Sequence, residues 1–424
     1  LNNLYIKNDT MNPTFSFKDR PSSVAVSKSI ELGLKAVGAP STGNLAASTA
    51  AHAAKAGLPC YIFIPYDIEP GKVIQATTYG AEIISINGTY DDANKLATQA
   101  GEKYNIGIVN VNIRPYYVEG SKTLAYEICE QLNWETPDHV IVPTGSGALL
   151  CAIQKGFKEF HRLNLTKTDK IKITSAQPVG CSPIVDAIIQ NKEKIMPIEK
   201  PSTIAKSLAI GEPGDGISAV KTVKNSGGYG EKVSNEEIID SIKLLSSTEG
   251  IFAEPGGIVS LAVLKKLVEN ERIDRDEKIV CYITGNGLKT PEIFDKNTVF
   301  KTAVEPKLEP IQQILQREYR PISIGMDKWT NMSKIKITIP SVMNSLTNGQ
   351  NEIDLEANTI ANAIEILTNK YGEKFKQKLL EEDGKPRAVI NFYVNGKNIQ
   401  FLNNLETVLS DGDEILLLPA VSGG

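Results

Sequence analysis

The chain reads as an α/β protein followed by a small α+β domain. Three observations predict this. From about residue 22 to 290 short apolar runs alternate with helical stretches, which is the pattern of crossover units and parallel sheet. The 424 residues exceed the ~250–300 at which a single core stops growing, so at least two folding units are expected. After residue 300 the texture changes: "AVEPKLEPIQQILQREYRP", rich in proline and charge, precedes segments that alternate like strands with one face in water.

Taken in order, "LYIK" is strand-like and "SSVAVSKSIELGLK" helical. "AVGAPST" is a short strand, and "NLAASTAAHAAKAG" is an alanine-rich helix closed by Gly57. "PCYIFIP" is a buried strand, "GKVIQATTYG" a helix and "AEIISI" a strand. The helix "DDANKLATQAGEKY" and the strand "IGIVNV" follow, then the helix "GSKTLAYEICEQL" and the strand "DHVIVPT". "KIKITSAQP" continues the series, followed by the helices "NEEIIDSIKLLSSTEG" and "GGIVSLAVLKKLVENE", and the strand "KIVCYIT" closes it. Beyond the proline-rich stretch, "KIKITIP" and "NEIDLEA" are strands. "TIANAIEILTNKY" is an amphipathic helix with Ile360, Ala363, Ile364, Ile366 and Leu367 near one face. "RAVINFYVNG" and "DEILLLPAVSGG" supply further strands. The expected organisation is a catalytic domain over residues 1–302, a linker over 303–332 and a small domain over 333–424. No internal repeat is visible.

Lys+Arg 46 against Asp+Glu 50 leaves a net charge of −4, with no basic surplus for nucleic acid or an anionic membrane. No apolar run approaches the ~18 residues that span a bilayer. Cys60, Cys129, Cys151, Cys181 and Cys281 are scattered, without a CxxC pair. A reduced, cytoplasmic compartment and no zinc site are the expectation. "LNNLYIKND" has neither a basic leader nor an apolar core, so it is not expected to act as a signal peptide.

Four short segments carry the chemistry. "NPTFSFKDR" sets Lys18 between an aromatic and an acid, with hydroxyl residues before it. Alone, a helix start with Lys18 and Arg20 solvated is the favoured reading. "STGN", residues 41–44, follows a strand and opens a helix; such a start suits a carboxylate, or simply a cap. "PTGSGALL", residues 143–150, is a second strand-to-helix turn, whose small residues let backbone amides approach a phosphate. It is neither a P-loop nor GxGxxG. "TGNG", residues 284–287, sits at a strand exit, where ligands of open α/β sheets collect, and Thr284 offers a hydroxyl there. A nucleophilic amine, a carboxylate site, a phosphate cradle and a neutral hydroxyl together fit pyridoxal 5'-phosphate.

The ordered series "NPTFSFKDR … STGN … RPYYVEGSKT … PTGSGALL … AKSLAIGEP … AEPGG … TGNGLK" resembles the threonine synthases, fold-type II pyridoxal-phosphate enzymes, over roughly residues 1–300. The resemblance implies two three-layer α/β subdomains and the conversion of O-phospho-L-homoserine and water to L-threonine and phosphate. It implies that Lys18 is the Schiff-base lysine and the group that moves protons between substrate carbons, with Phe17 near the cofactor ring. Asn44 is implied at the ring oxygen, and Gly145, Ser146, Gly147 and Ala148 at the phosphate. Thr284 is implied at the pyridine nitrogen, where a hydroxyl leaves that nitrogen largely unprotonated. Ser41 and Thr42 are implied at the substrate carboxylate. The chain departs from the family at Ser146 and Leu149, where many members carry asparagines in a GNxGN-like loop. It also has Arg114 and Tyr117 where many carry the Asn and Arg of an NPYR motif taken to contact the substrate phosphate. The family's usual upstream segment is absent, so a preceding piece is expected to be missing. Competing expectations are a threonine or serine dehydratase, or a β-replacement enzyme.

"VNGKNIQFL…LSDGDEILLLPAVSGG" resembles the ubiquitin-like β-grasp sulfur carriers, including the molybdopterin-synthase small subunit. The resemblance implies that the C-terminal Gly423–Gly424 pair is adenylated by an E1-like partner and converted to a thiocarboxylate. A thiocarboxylate on Gly424 feeding an amino-acid synthase, and a carrier attached to a degenerate enzyme scaffold, are the further alternatives. A small-molecule amino-acid substrate and a homodimer are expected.

Overall fold

Pro40 has no N–H to donate, so the strand expected to run to residue 42 ends at Ala39. That early end leaves Ser41–Asn44 free to form a turn at a strand's carboxyl end. A computed structural model describes residues 1–67, 71, 73–294, 333–381, 384–387 and 389–419. The expected linker (303–332), the end of the first domain (295–302) and the Gly423–Gly424 terminus lie outside the described residues. The chain separates into two units, Leu1–Lys307 and Leu308–Gly424.

In chain order the first unit runs β1 (Leu4–Asn8), α1 (Asp19–Glu31), β2 (Ala36–Ala39), α2 (Asn44–Ala56), β3 (Cys60–Pro65), α3 (Ile74–Thr78), β4 (Glu82–Ile86), α4 (Tyr90–Tyr104) and β5 (Ile106–Ile108). It continues through α5 (Arg114–Gly120), α6 (Thr123–Gln131), β6 (His139–Pro143), α7 (Ala148–Arg162), β7 (Lys172–Pro178), α8 (Pro183–Ile189), α9 (Gly216–Ser226), β8 (Gly230–Val233), α10 (Asn235–Glu249), α11 (Pro255–Glu269) and β9 (Ile279–Ile283). Among the described residues these strands form two sheets, in the orders β1-β9-β6-β7-β8 and β4-β3-β2-β5. Every neighbouring pair in both is parallel.

Each sheet is covered on both faces, which is why its strands read as nearly unbroken apolar runs. On β6, Ile141 packs with Ile242 and Leu264 of α10 and α11. Its neighbours Val140 and Val142 face the opposite layer, with Leu124, Ile153 and Val220 from α6, α7 and α9. Burying one such side chain contributes about 1.5–3 kcal/mol. The smaller sheet is sandwiched likewise, with Ala46 and Ala50 of α2 on one side and Ala93 and Ala97 of α4 on the other.

The helix expected over residues 120–132 starts only at Thr123, and a helix that the sequence did not suggest, α5, precedes it. Pro115 suits the first turn of this separate helix, which spans Arg114–Gly120. A Cβ at Gly120 would lie 2.4 Å from the Arg20 carbonyl oxygen, so only glycine lets α5 approach α1 this closely.

The second unit contains β10 (Ser333–Thr338), β11 (Glu352–Ala357), α12 (Ile360–Tyr371), α13 (Glu373–Leu379), β12 (Ile390–Val394), β13 (Lys397–Asn398) and β14 (Glu414–Pro419). Among the described residues its sheet has the order β11-β10-β14-β12-β13. The β10–β14 pair is parallel and the others are antiparallel. Ile360, Ala363, Ile364 and Leu367 of α12 bury against Ile335, Ile337, Phe392 and Leu417, while Ile366 is partly buried against the same core. This mixed sheet around a helix is a β-grasp. No described helix is long and apolar enough to cross a membrane.

Candidate active site

The chemistry-bearing turns sit where the parallel strands end. Ser41–Asn44 follows β2, Thr144–Gly147 follows β6 and Thr284 follows β9, all at carboxyl ends. Lys18 immediately precedes α1.

Backbone pairing fixes Lys18 beside the exit of β9. Phe17 N–H donates to Thr284 O at 2.9 Å, and Ser16 pairs with Gly285 in an antiparallel bridge. The half-buried Lys18 donates its Nζ to Tyr117 Oη at 2.9 Å and lies 4.6 Å from the Phe17 ring centroid. Thr284 is buried, and no described residue hydrogen bonds its hydroxyl.

The acids and bases flanking Lys18 lock its segment down. Asp19 accepts from Thr14 N–H and Oγ1 at 2.8 Å each and from Ser48 Oγ at 2.9 Å, with His52 Nε2 at 3.3 Å. Burial works against the Asp19 charge, but the His52, Thr14 and Ser48 contacts hold its carboxyl below the ordinary value. Arg20 bridges Asp9 and Glu127, with 2.6 Å contacts to each. Helix α1 is thereby tied to the turn after β1, to α2 and to α6.

Asn44 is the first residue of α2, and Gly43 takes the cap position with no side-chain cap bond. Ser41 Oγ accepts from Gly43 N–H at 3.4 Å, and Ser41 and Thr42 are both half-buried. The Asn44 amide donates to both carboxylate oxygens of Glu254. Burial pushes the Glu254 carboxyl above its ordinary value, against the pull of Asn44, Lys289 and Lys18. Lys289 reaches Thr14 O at 2.8 Å and Gln75 Oε1 at 2.7 Å, and burial lowers its pKa.

The turn before α7 has the shape of an anion cradle. Gly147 adopts φ +93, and a Cβ there would lie 2.9 Å from Asp215 O. Asp215 N–H donates to Ser146 O at 2.9 Å, and Ala148 N–H to Ser146 Oγ at 3.4 Å. The 15-residue α7 directs its positive end into this turn. Arg114 forms an ion pair with Asp215, beside the cradle.

Lys18, Phe17, Thr284 and Tyr117 are therefore brought into one contact group. Gly145–Ala148 and Arg114 meet through Asp215. Tyr117, expected among the substrate contacts with Arg114, touches the Lys18 amine. Sequence reasoning missed Glu254, Lys289, Asp215 and Asp19. Glu254 lies inside the quoted "AEPGG", where Pro255 marks a helix start, but nothing local signals that its carboxylate faces Asn44. An amine at a strand exit, an unengaged buried hydroxyl and a glycine turn that a Cβ would fill suit pyridoxal phosphate. Among the described residues no cluster of His, Cys, Asp or Glu could hold a metal.

The pyridoxal-phosphate dependent enzyme family matches residues 1–285, and the ThiS family matches residues 337–424. The threonine synthase of Methanocaldococcus jannaschii is 44% identical, covering 74% of this chain and 76% of its own. That of Methanosarcina acetivorans is 40% identical, over 74% and 77%, and that of a Bacillus species 42%, over 73% and 85%. Among solved structures, the processed threonine deaminase isoform 2 of Solanum lycopersicum aligns with a TM-score of 0.59 at 23% identity, over 68% of this chain and 76% of that one. Maize serine racemase aligns with 0.56 at 21%, over 75% and 89%. These two share the fold.

Proposed function

The chain belongs to the pyridoxal-phosphate dependent enzymes, and on that premise we propose that its first unit converts O-phospho-L-homoserine and water to L-threonine and phosphate. The observation that carries this reading is the convergence of Lys18, Phe17 and Thr284 at the exit of β9. It occurs in a chain 44% identical to a threonine synthase.

Lys18 would hold pyridoxal phosphate through its amine, Gly145–Ala148 would take its phosphate, and Asn44 and Thr284 would meet the ring oxygen and ring nitrogen. The cofactor supplies an electron sink for negative charge that develops on the substrate's carbon chain. Ser41, Thr42 and the start of α2 receive the substrate carboxylate. Lys18 moves protons between substrate carbons as phosphate leaves and water adds. The pocket's neutral Thr284 places no carboxylate at the ring nitrogen. The test is product analysis: threonine and inorganic phosphate should form in equal amounts from O-phospho-L-homoserine. Absence of threonine would overturn the reading.

A second reading is favoured by one observation. Arg114, the expected phosphate contact, already has Asp215 as its partner. A threonine or serine dehydratase needs no phosphate contact, and 2-oxo acid formed from threonine or serine, with no turnover of the phosphoester, would select it. For the second unit we propose a sulfur carrier charged at Gly424, supported by the ThiS-family match and the mixed sheet around α12. Incubation with ATP, an adenylating enzyme and a sulfur donor should replace a C-terminal oxygen by sulfur, read by intact-mass spectrometry. No mass change would remove this reading.

A further inference from the structure

Lys122 and Lys18 meet opposite kinds of partner. Lys122 is gripped by the carboxylates of Glu119 and Glu159 at 2.5 and 2.7 Å, which hold its proton in place. Among the described residues no carboxylate forms an ion pair with Lys18. Its polar partner is the Tyr117 phenol at 2.9 Å, the Phe17 and Tyr117 rings lie at 4.6 and 5.5 Å, and the buried Glu254 carboxyl feels its charge without pairing with it. Tyr117 is 7% exposed and packed with Ile113 and Val109. The close α1–α5 approach at Gly120 fixes the distance between phenol and amine.

We propose that Tyr117 is the proton partner of Lys18: its phenol holds the free amine in both protonation states while Lys18 moves protons. This rests on the reading of Lys18 as the proton-transferring residue. A neutral amine accepts a hydrogen bond and an ammonium only donates, while a phenol does either. In the resting site the Tyr117 O–H can donate to the lone pair of the neutral Nζ; for the transfer the phenol turns its O–H away and accepts one of the amine's own N–H groups, which frees the lone pair for the substrate carbon. When Nζ takes a proton from a substrate carbon, the phenol oxygen accepts an N–H from the resulting ammonium. When that proton is delivered to another carbon, the first arrangement returns. A guanidinium at position 117 would offer donors alone and repel the ammonium, and a carboxylate would trap the proton on it. Position 117 therefore serves the transfer rather than the substrate phosphate.

The test is Tyr117→Phe, with Tyr116→Phe as the control, since Tyr116 is exposed on the same helix. Two readouts need no phosphoester. The first is the rate at which cofactor-free protein captures added pyridoxal phosphate at Lys18, followed by absorbance. The second is exchange of the Cα hydrogen of L-threonine with deuterated water, followed by NMR. General acid–base assistance is worth about 10²–10⁴-fold, so exchange and capture should each slow about 100-fold. With O-phospho-L-homoserine, kcat should fall while KM stays. Tyr117→His, which also donates and accepts, should recover part of the exchange rate. Either Tyr117→Phe rate at the wild-type value overturns the proposal. If wild type exchanges threonine but makes none from the phosphoester, the substrate reading fails while the role of Tyr117 is still measured.

Discussion

Asn44 presents its amide nitrogen to both carboxylate oxygens of Glu254, at 3.1 and 2.9 Å, across 210 residues of sequence. One residue opens α2 beside the smaller sheet and the other precedes α11 beside the larger. The pair therefore stitches together the two halves of the candidate site.

Burial raises the Glu254 pKa, so its carboxyl contributes stability below its ordinary range, and that contribution is lost as pH rises through the raised value. Glu254→Gln should match wild type near the ordinary carboxyl value and gain on it at alkaline pH, measured by melting temperature across pH. Glu254→Ala removes the acceptor of Asn44, a loss of about 1.5–3 kcal/mol, and should weaken cofactor binding about 10-fold. Parallel pH curves for wild type and Glu254→Gln would show that this carboxyl does not titrate as described.

Arg20 joins a buried acid, Asp9, to a more exposed one, Glu127. Arg20→Ala strands Asp9 and should cost about 3–5 kcal/mol by denaturant titration. The Arg20 contact, with help from Lys7, holds the Glu127 carboxyl down to about 2 from an ordinary 4.5. Its contribution is present above pH 4.5 and lost as pH falls through about 2. Because Glu127 is more than a third exposed, solvent screening limits it to about 1 kcal/mol. Glu127→Gln should show that deficit at pH 7 and none at the acid end.

Asp215 occupies the guanidinium that the proposed substrate phosphate needs. Asp215→Asn frees Arg114 and should lower KM for O-phospho-L-homoserine about threefold to fivefold, as expected of a partly exposed ion pair worth up to about 1 kcal/mol, with kcat unchanged. An unaltered KM places the phosphate elsewhere.

The parallel sheets were legible because strands buried on both faces are apolar along their whole length, as in "CYIFIP" and "HVIVP". The glycine turns were legible because they directly follow such strands. Helices α8 and α9 and strand β8 were not, since "GEKV" is half polar and α8 is a short turn beginning at Pro183. Within the site, Lys18, Asn44 and Thr284 could be named from local wording. Glu254 and Asp215 could not, because their meaning lies in contacts with Asn44 and Arg114 that only tertiary packing creates. Tyr117 was named among the substrate contacts by its position in a motif; its contact with the Lys18 amine depends on the packing of α5 on α1 and is not visible in local sequence. The role of the second unit's terminus is a reading of sequence alone.

In the proposed reaction Lys18 carries both the cofactor and the proton transfers. Borohydride reduction of the cofactor-loaded protein, followed by proteolysis and peptide mass spectrometry, tests it most directly. A single pyridoxyl-modified peptide containing Lys18 is expected, absent from a folded Lys18→Ala variant that also makes no threonine. Modification at Lys122 or Lys289, or a Lys18→Ala variant that still binds cofactor covalently and turns over, would contradict it.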